Sequence, residues 1–285
     1  MTEVKNIAIL GSSGQIGAPL FDYLVGKGYN VHGYDSVPSN TTTHVTDLGS
    51  PHQFDNITLE KYDFVFFLAF NAGGSRYLKQ YQDTHEFVES NSVLMTNVFS
   101  ALNRSKTPFI FSSSQMSNMT FSTYGLLKLV GEMYTKLSNG VVIKFWNVYG
   151  VEHDQDKSHV ITDFIEKARD LKRIDMLTDG REERQFLHTQ DCCECLETLM
   201  LRYDEVDRDQ PLHITSFEWT TIADVADIIA AQFPGCEVVP AEDKDTVQQG
   251  LRNDPDPYIR QFWQPITTLD EGIAKVISES RTSVA

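Results

Sequence analysis

The chain has 285 residues, 41% of them hydrophobic, with 24 Lys and Arg against 40 Asp and Glu and a formal net charge of −16. That length and apolar content suit one composite domain or two closely joined ones around a large core. The acidic balance argues against nucleic acid and acidic membranes as main partners, since both require basic surfaces.

In chain order, the first element is the apolar run Asn6 to Leu10, suited to a buried parallel strand. It leads directly into Gly11-Ser-Ser-Gly14-Gln-Ile-Gly17, where a helix is predicted to start. Glycines permit the tight turn and let backbone N–H groups approach a pyrophosphate, and the helix N-terminus adds partial positive charge. The spacing is Gly-x-x-Gly-x-x-Gly rather than the usual Gly-x-Gly-x-x-Gly. A second strand, Asn30 to Tyr34, ends at Asp35, about where an acidic residue takes the adenosine ribose hydroxyls of a dinucleotide. Its carboxylate would repel a 2′-phosphate and no arginine follows in residues 36–43, so NAD is favoured over NADP.

Further apolar strands are predicted near residues 64 to 68, 108 to 112 and 141 to 145, separated by segments of helical periodicity. This alternation argues for an α/β fold with a doubly wound parallel sheet. Residues 1–150 would carry the cofactor, with 184–216 returning to that domain. Helical patterns at Val160–Leu171 and Ile222–Phe233, and the Pro-rich acidic stretch from Pro240 to Pro265, assign 151–183 and 217–285 to a smaller substrate-binding cap. No run of 18 apolar residues appears, and no charged segment precedes the first strand, so the chain reads as cytoplasmic. Cys192, Cys193 and Cys195 crowd a predicted helix start and suit buried thiols better than disulfides or a zinc site. His85, His153, His159 and His188 lack metal-ligand spacing and read as ordinary histidines.

The strand near 108–112 runs into Ser112-Ser113-Ser114, and Tyr124 with Lys128 follows as Tyr-x-x-x-Lys. In a helix these two lie one turn apart on the same face, with the ammonium near the phenol oxygen. Bringing a free tyrosine from about 10 to neutrality needs roughly 4 kcal/mol of differential stabilisation. One cation seldom supplies that, and the oxidised nicotinamide ring of NAD would be a second.

Taken together, these motifs resemble the extended short-chain dehydrogenase/reductases of the nucleotide-sugar epimerase/dehydratase family, nearly end to end. The glycine turn, with Ser13, Gln15 and Ile16 between its glycines, matches the family's Rossmann cofactor turn. Asp47-Leu48 resembles the adenine-side pair, and Leu68-Ala69 the strand end along the cofactor. Asn91 fits the asparagine opening the next long helix. Ser112 to Ser114 resembles the strand end whose third serine bonds the reacting hydroxyl. The resemblance thus implies Ser114, Tyr124 and Lys128 as catalytic residues. It also implies Asn147-Val-Tyr-Gly150 at the sugar, with Gln115 beside it, and Arg184 and Arg252 on the substrate diphosphate. In Asn71-Ala-Gly-Gly-Ser-Arg-Tyr77, the glycines would let backbone approach a ligand while Arg76 or Tyr77 contacts it. Lys144 is expected to be a structural cation.

Departures from the family pattern narrow the reaction. Gln115 and Met116 stand where sugar 4,6-dehydratases carry Asp-Glu, which disfavours dehydration and decarboxylation, and the cysteine of 3,5-epimerases is missing. What remains is NAD-dependent 4-epimerisation, with hydride returned to the other face of a transient C4 ketone, or reduction of a keto sugar. The short Ser114–Tyr124 connection, Gly14-Gln-Ile-Gly17 and Gly131-Glu132 resemble compact deoxysugar reductases. A non-catalytic NAD-binding sensor or scaffold is the third reading. A nucleotide-diphosphate sugar as ligand and a homodimer through the helices near Asn91 and Thr123 complete the expectation.

Overall fold

The computed structural model describes residues 4–54, 57–152, 154–248 and 252–282; His153 lies outside them. Strand β1 (Asn6–Leu10) is followed by helix α1 (Gly17–Gly26), β2 (Asn30–Asp35), β3 (His44–Val45), α2 (Pro51–Phe54) and β4 (Phe64–Phe67). Then come α3 (Ser75–Tyr81), α4 (His85–Ser105), β5 (Phe109–Ser114), α5 (Thr123–Leu137), β6 (Val141–Phe145) and β7 (Asn147–Tyr149). The second half holds α6 (Val160–Leu171), β8 (Arg173–Asp175), β9 (Glu183–Arg184), β10 (Phe186–His188) and α7 (Thr189–Leu201). The last elements are β11 (Leu212–Ile214), β12 (Thr220–Thr221), α8 (Ile222–Ala231), β13 (Glu237–Val239) and α9 (Leu269–Thr282).

Seven strands form one parallel sheet in the order β11-β6-β5-β4-β1-β2-β3, a doubly wound Rossmann arrangement. The period of two along each strand divides its side chains between two cores. Ile7, Ile9, Phe64 and Phe66 face α1 and α7 with Leu20, Leu24 and Leu196. Ala8, Leu10, Val65 and Phe67 face α4 with Met95, Val98 and Phe99. Because both faces are covered, β4 and β5 are buried throughout, which is why Phe-Val-Phe-Phe shows no alternation in sequence. Strand order reverses between β1 and β4, and a crevice outside the carboxyl ends of the strands is the geometric consequence.

A third apolar cluster joins α6, α8 and α9, through residues such as Phe164, Ile165, Val225, Ile229, Ile273 and Val276. Strand β11 brings the 184–216 stretch back to the main sheet beside β6. The 217–285 stretch is divided, since Ile259 and its neighbours Tyr258, Phe262 and Trp263 pack on the main core. Among the described residues no helix is long and apolar enough to cross a membrane.

Candidate active site

The glycine turn owes its shape to two close approaches. Gly11 has φ +93°, and a Cβ there would lie 2.6 Å from the Ala69 backbone nitrogen. A Cβ on Gly17 would lie 1.9 Å from the Gly11 oxygen, so α1 can start against the turn only with glycine at that position. Gly14 is different, because its Cβ would meet only the Gly11 oxygen at 3.5 Å. Gln15 ties the turn to β7 by donating from Nε2 to the Val148 oxygen at 2.9 Å. Asp35 is aimed at the turn, its Oδ2 accepting from Ser13 N at 3.0 Å and its Oδ1 from Val37 N at 3.1 Å.

From this turn a cleft of about 1920 Å³ runs along the carboxyl ends of the strands. Following the strand order, Asp47 and Leu48 come after β3, Asp35 ends β2, Gly11, Ser13, Gly14, Gln15, Ile16 and Gly17 come after β1, Leu68 and Ala69 after β4, and Ser112 and Ser114 lie at the end of β5, with Tyr124 and Lys128 on α5; all of them line the cleft. Asn91 does not line it. The helix α4 opens at His85, with the Thr84 hydroxyl capping Phe87 N, so Asn91 sits in its second turn rather than at its start. Fully buried, Asn91 accepts from Asn71 N at 2.7 Å and donates to Asn71 O at 3.1 Å, which fixes the backbone of a cleft residue.

Ser114 ends β5 and caps the next turn, its Oγ accepting from Met116 N. Tyr124 lies in the first turn of α5, which Ser122 caps through Gly125 N. Burial pushes the Tyr124 phenol up to about 12, with a hydrogen bond to Ser114 acting the other way. Burial likewise pushes the Lys128 ammonium down to about 7, opposed by the charge of Glu132. Its Nζ donates to the Ser112 carbonyl at 2.7 Å, 3.8 Å from the centre of the Phe70 ring and 5.8 Å from that of Tyr124. Moving the phenol from there to neutrality takes roughly 7 kcal/mol at about 1.4 kcal/mol per unit, more than one partly charged lysine provides.

The model of the NAD dependent epimerase/dehydratase family matches residues 7–215. The chain belongs to that family. A GDP-L-fucose synthase from Sinorhizobium fredii is 28% identical over 148 residues, which cover 49% of this chain and 46% of that protein. The chain spans about half the length of such curated relatives in these matches. Among solved structures, epimerase Mth375 from Methanothermobacter thermautotrophicus superposes with a TM-score of 0.84 at 19% identity, covering 99% of this chain and 93% of its own. A UDP-glucose 4-epimerase with UDP-glucose from Thermotoga maritima gives 0.83 at 19% identity, covering 98% and 100%. These likenesses show the fold.

In this family member the five residues assigned to substrate lie outside the cleft lining, and the side chains of four of them are engaged elsewhere. Arg76 pairs with Asp163 at 2.6 Å. Gln115 is buried, its Oε1 and backbone oxygen both accepting from Asn253 Nδ2. Asn147 Oδ1 is buried with no hydrogen-bond partner. Arg184 pairs with Asp245, and Arg252 pairs with Glu183 at 2.6 Å while lying 4.0 Å from the centre of the Trp219 ring. Of the Asn71–Tyr77 glycines, Gly73 lines the cleft, whereas Gly74 serves a protein contact: a Cβ on it would lie 2.3 Å from the Ser158 oxygen, and its N donates to the Lys157 oxygen. Tyr77 donates to Asn71 Oδ1.

Sequence reasoning missed the cleft wall formed by Trp146, Glu152 and His159. His159 Nδ1 lies 2.7 Å from Glu152 Oε1. Burial alone would raise the Glu152 carboxyl, but its bonds to His159 more than offset this and hold it below its usual range. Position flanking the Asn147–Gly150 motif was the available signal. Cys192, Cys193 and Cys195 are buried on α7, their thiols pushed up by burial.

Proposed function

We propose that this protein is an NAD-dependent nucleotide-sugar 4-epimerase. The observation that carries the reading is the convergence of Ser114, Tyr124 and Lys128 on a cleft that the glycine turn and Asp35 also line. The residues fit the cofactor: Gly11 and Gly17 fold a turn that a Cβ would fill, and Asp35 presents a carboxylate beside it. When bound, NAD supplies a hydride acceptor and a cationic ring that favours the phenolate. Tyr124 Oη takes the proton of the sugar C4 hydroxyl while Ser114 Oγ holds that oxygen, and Lys128 supplies local positive charge. Tyr124 returns the proton after the sugar has turned over. Gln115 and Met116, both buried, offer no carboxylate for eliminating water.

Arg184 and Arg252 grip the diphosphate during that rotation, exchanging Asp245 and Glu183 for phosphate oxygens. Residues 1–150 with 184–216 form the cofactor half, and 151–183 with 217–285 the substrate half. A homodimer forms through α5 and α4, supported by exposed apolar side chains along α5.

The short Ser114–Tyr124 connection favours a 4-keto-sugar reductase as the second reading. The decisive experiment extracts the nucleotide of the purified protein, records absorbance near 340 nm, and incubates it with UDP-, dTDP- and GDP-sugars. Retained cofactor with epimer formed and no net consumption is expected. Consumption of added NADH only with a 4-keto sugar would replace the epimerase by the reductase. Bound NAD with no turnover, unchanged in Tyr124→Phe, would leave a sensor.

A further inference from the structure

Behind the Tyr124–Lys128 pair lies a buried charge cluster that the proposed chemistry does not use. Gly131 packs α5 tightly on β5, since a Cβ there would lie 2.3 Å from the Phe111 ring. The next residue, Glu132, therefore reaches the sheet. Its Oε1 accepts from Ser113 Oγ at 2.5 Å and its Oε2 lies 3.3 Å from Lys144 Nζ on β6. Lys144 also donates to Ser117 Oγ at 2.9 Å and Asn118 Oδ1 at 3.2 Å. The side chains of Lys144 and Glu132 are 10% and 11% exposed. Glu132 stands one helical turn from Lys128, on the same buried face of α5.

Taking the elements packed around this cluster in turn, α5 contributes Tyr124, Lys128 and Glu132, β5 the Ser112 carbonyl and Ser113, and β6 Lys144. The turn 115–118 contributes neutral Ser117 and Asn118, the loop after β4 the Phe70 ring, and β11 His213, whose imidazole burial and Lys144 hold neutral near pH 7. Lys144 thus pairs with the carboxylate directly, and Lys128 faces it across one helical turn. With Lys128 charged, an ionised Tyr124 would complete the neutralisation of the cluster.

We propose that Glu132 is a positioning residue for the catalytic pair: its carboxylate, bonded to Ser113 and Lys144 and one helical turn from Lys128, decides whether Lys128 is an ammonium or an amine. The inference rests on the reading of Tyr124 and Lys128 as that pair. It makes Lys144 a competitor, drawing on the same carboxylate from the other side. Removal of Glu132 and removal of Lys144 must then act on Lys128 in opposite directions. A carboxylate that only braced α5 against β5 would give no such opposition.

The test is an NMR titration of the Lys128 Nζ signal in protein labelled with 15N-lysine, the signal being assigned by its loss in Lys128→Met. Relative to wild type, Glu132→Gln should lower the midpoint by at least one pH unit, a tenfold change in the ammonium-to-amine ratio. Lys144→Met should raise it, and Glu132→Asp should restore most of the wild-type value. An unchanged midpoint in Glu132→Gln, or shifts of the same sign in Glu132→Gln and Lys144→Met, would overturn the proposal. Circular dichroism checks folding, and if Glu132→Gln fails to fold, an unmoved midpoint in Lys144→Met overturns it alone. No sugar is needed, so failure here is distinct from failure of the epimerase reading.

Discussion

Arg184 donates to Asp245 Oδ2 at 2.5 Å, with only 10% of either side chain exposed. The same carboxylate accepts from Val247 N through Oδ1, and Val247 is buried in an apolar cluster with Met116 and Met119 against which Tyr124 packs. The segment holding Arg184 is therefore anchored beside Tyr124, and a diphosphate arriving at Arg184 would have to displace it. Asp245→Asn should remove a competitor and at the same time leave a buried cation unpaired. The free variant should lose about 3 kcal/mol of stability. Thermal shift with UDP should recover more stability in the variant than in wild type, and KM for the productive sugar should fall severalfold. Equal shifts in both proteins would mean that Arg184 does not meet the phosphate.

The glycines of the cofactor turn separate two roles. Gly17→Ala forces a Cβ onto the Gly11 carbonyl, whereas Gly14→Ala adds only an ordinary contact. The Gly17 variant should unfold more easily by about 1–3 kcal/mol without any ligand. The Gly14 variant should keep wild-type stability and lose NAD affinity, because backbone approach to a pyrophosphate is what that position leaves open. Denaturant unfolding and calorimetric NAD titration of both variants check this. A Gly14 variant that binds NAD as tightly as wild type would remove the pyrophosphate from that turn.

The main sheet was legible in sequence because each buried parallel strand must be an apolar run, and residues 6 to 10, 64 to 67 and 141 to 145 could hardly read otherwise. Strands β9 and β12, two residues each, are too short to leave any periodic signal. The glycine turn and Tyr124–Lys128 are local in sequence, so their spacing alone gives their geometry. The surroundings of the arginines are not local: Asp245 is 61 positions from Arg184 and Glu183 is 69 from Arg252. Gly73 and Gly74 show the same limit. Their identity announces a close approach, but only the tertiary fold reveals that Lys157 and Ser158 are the neighbours.

Helix α5 exposes a stripe of Leu126, Leu129, Val130, Met133, Tyr134 and Leu137, with Leu137 83% exposed and Met133 61%. Spacings of three and four place these side chains along one side, opposite Gly125, Lys128 and Glu132. The proposed homodimer would bury this stripe. Met133→Glu puts a charge at its middle and should convert a dimer to monomer in sedimentation velocity while leaving the far-ultraviolet spectrum unchanged. A wild-type chain that sediments as a monomer at micromolar concentration would end the proposal.

Acid stability should depend on His213. Its ring is 5% exposed, and Nδ1 accepts from Trp146 Nε1 at 3.1 Å, so the neutral ring carries its proton on Nε2. Burial, with Lys144 adding repulsion and Asp256 opposing, pushes its pKa down to about 4. In the unfolded chain the same histidine binds its proton near 6.5, so between these values the unfolded state holds more protons than the folded one. The contribution is therefore fully present above about pH 6.5 and disappears as pH falls towards 4, reaching about 3 kcal/mol over that window. His213→Gln can keep an acceptor for Trp146 without the titration. Its unfolding free energy should fall less steeply than that of wild type between pH 6.5 and 4 in urea titrations. Parallel slopes would show that His213 is protonated in the folded protein and that the acid loss arises from other groups, among them His188, which is also buried and held below its usual value.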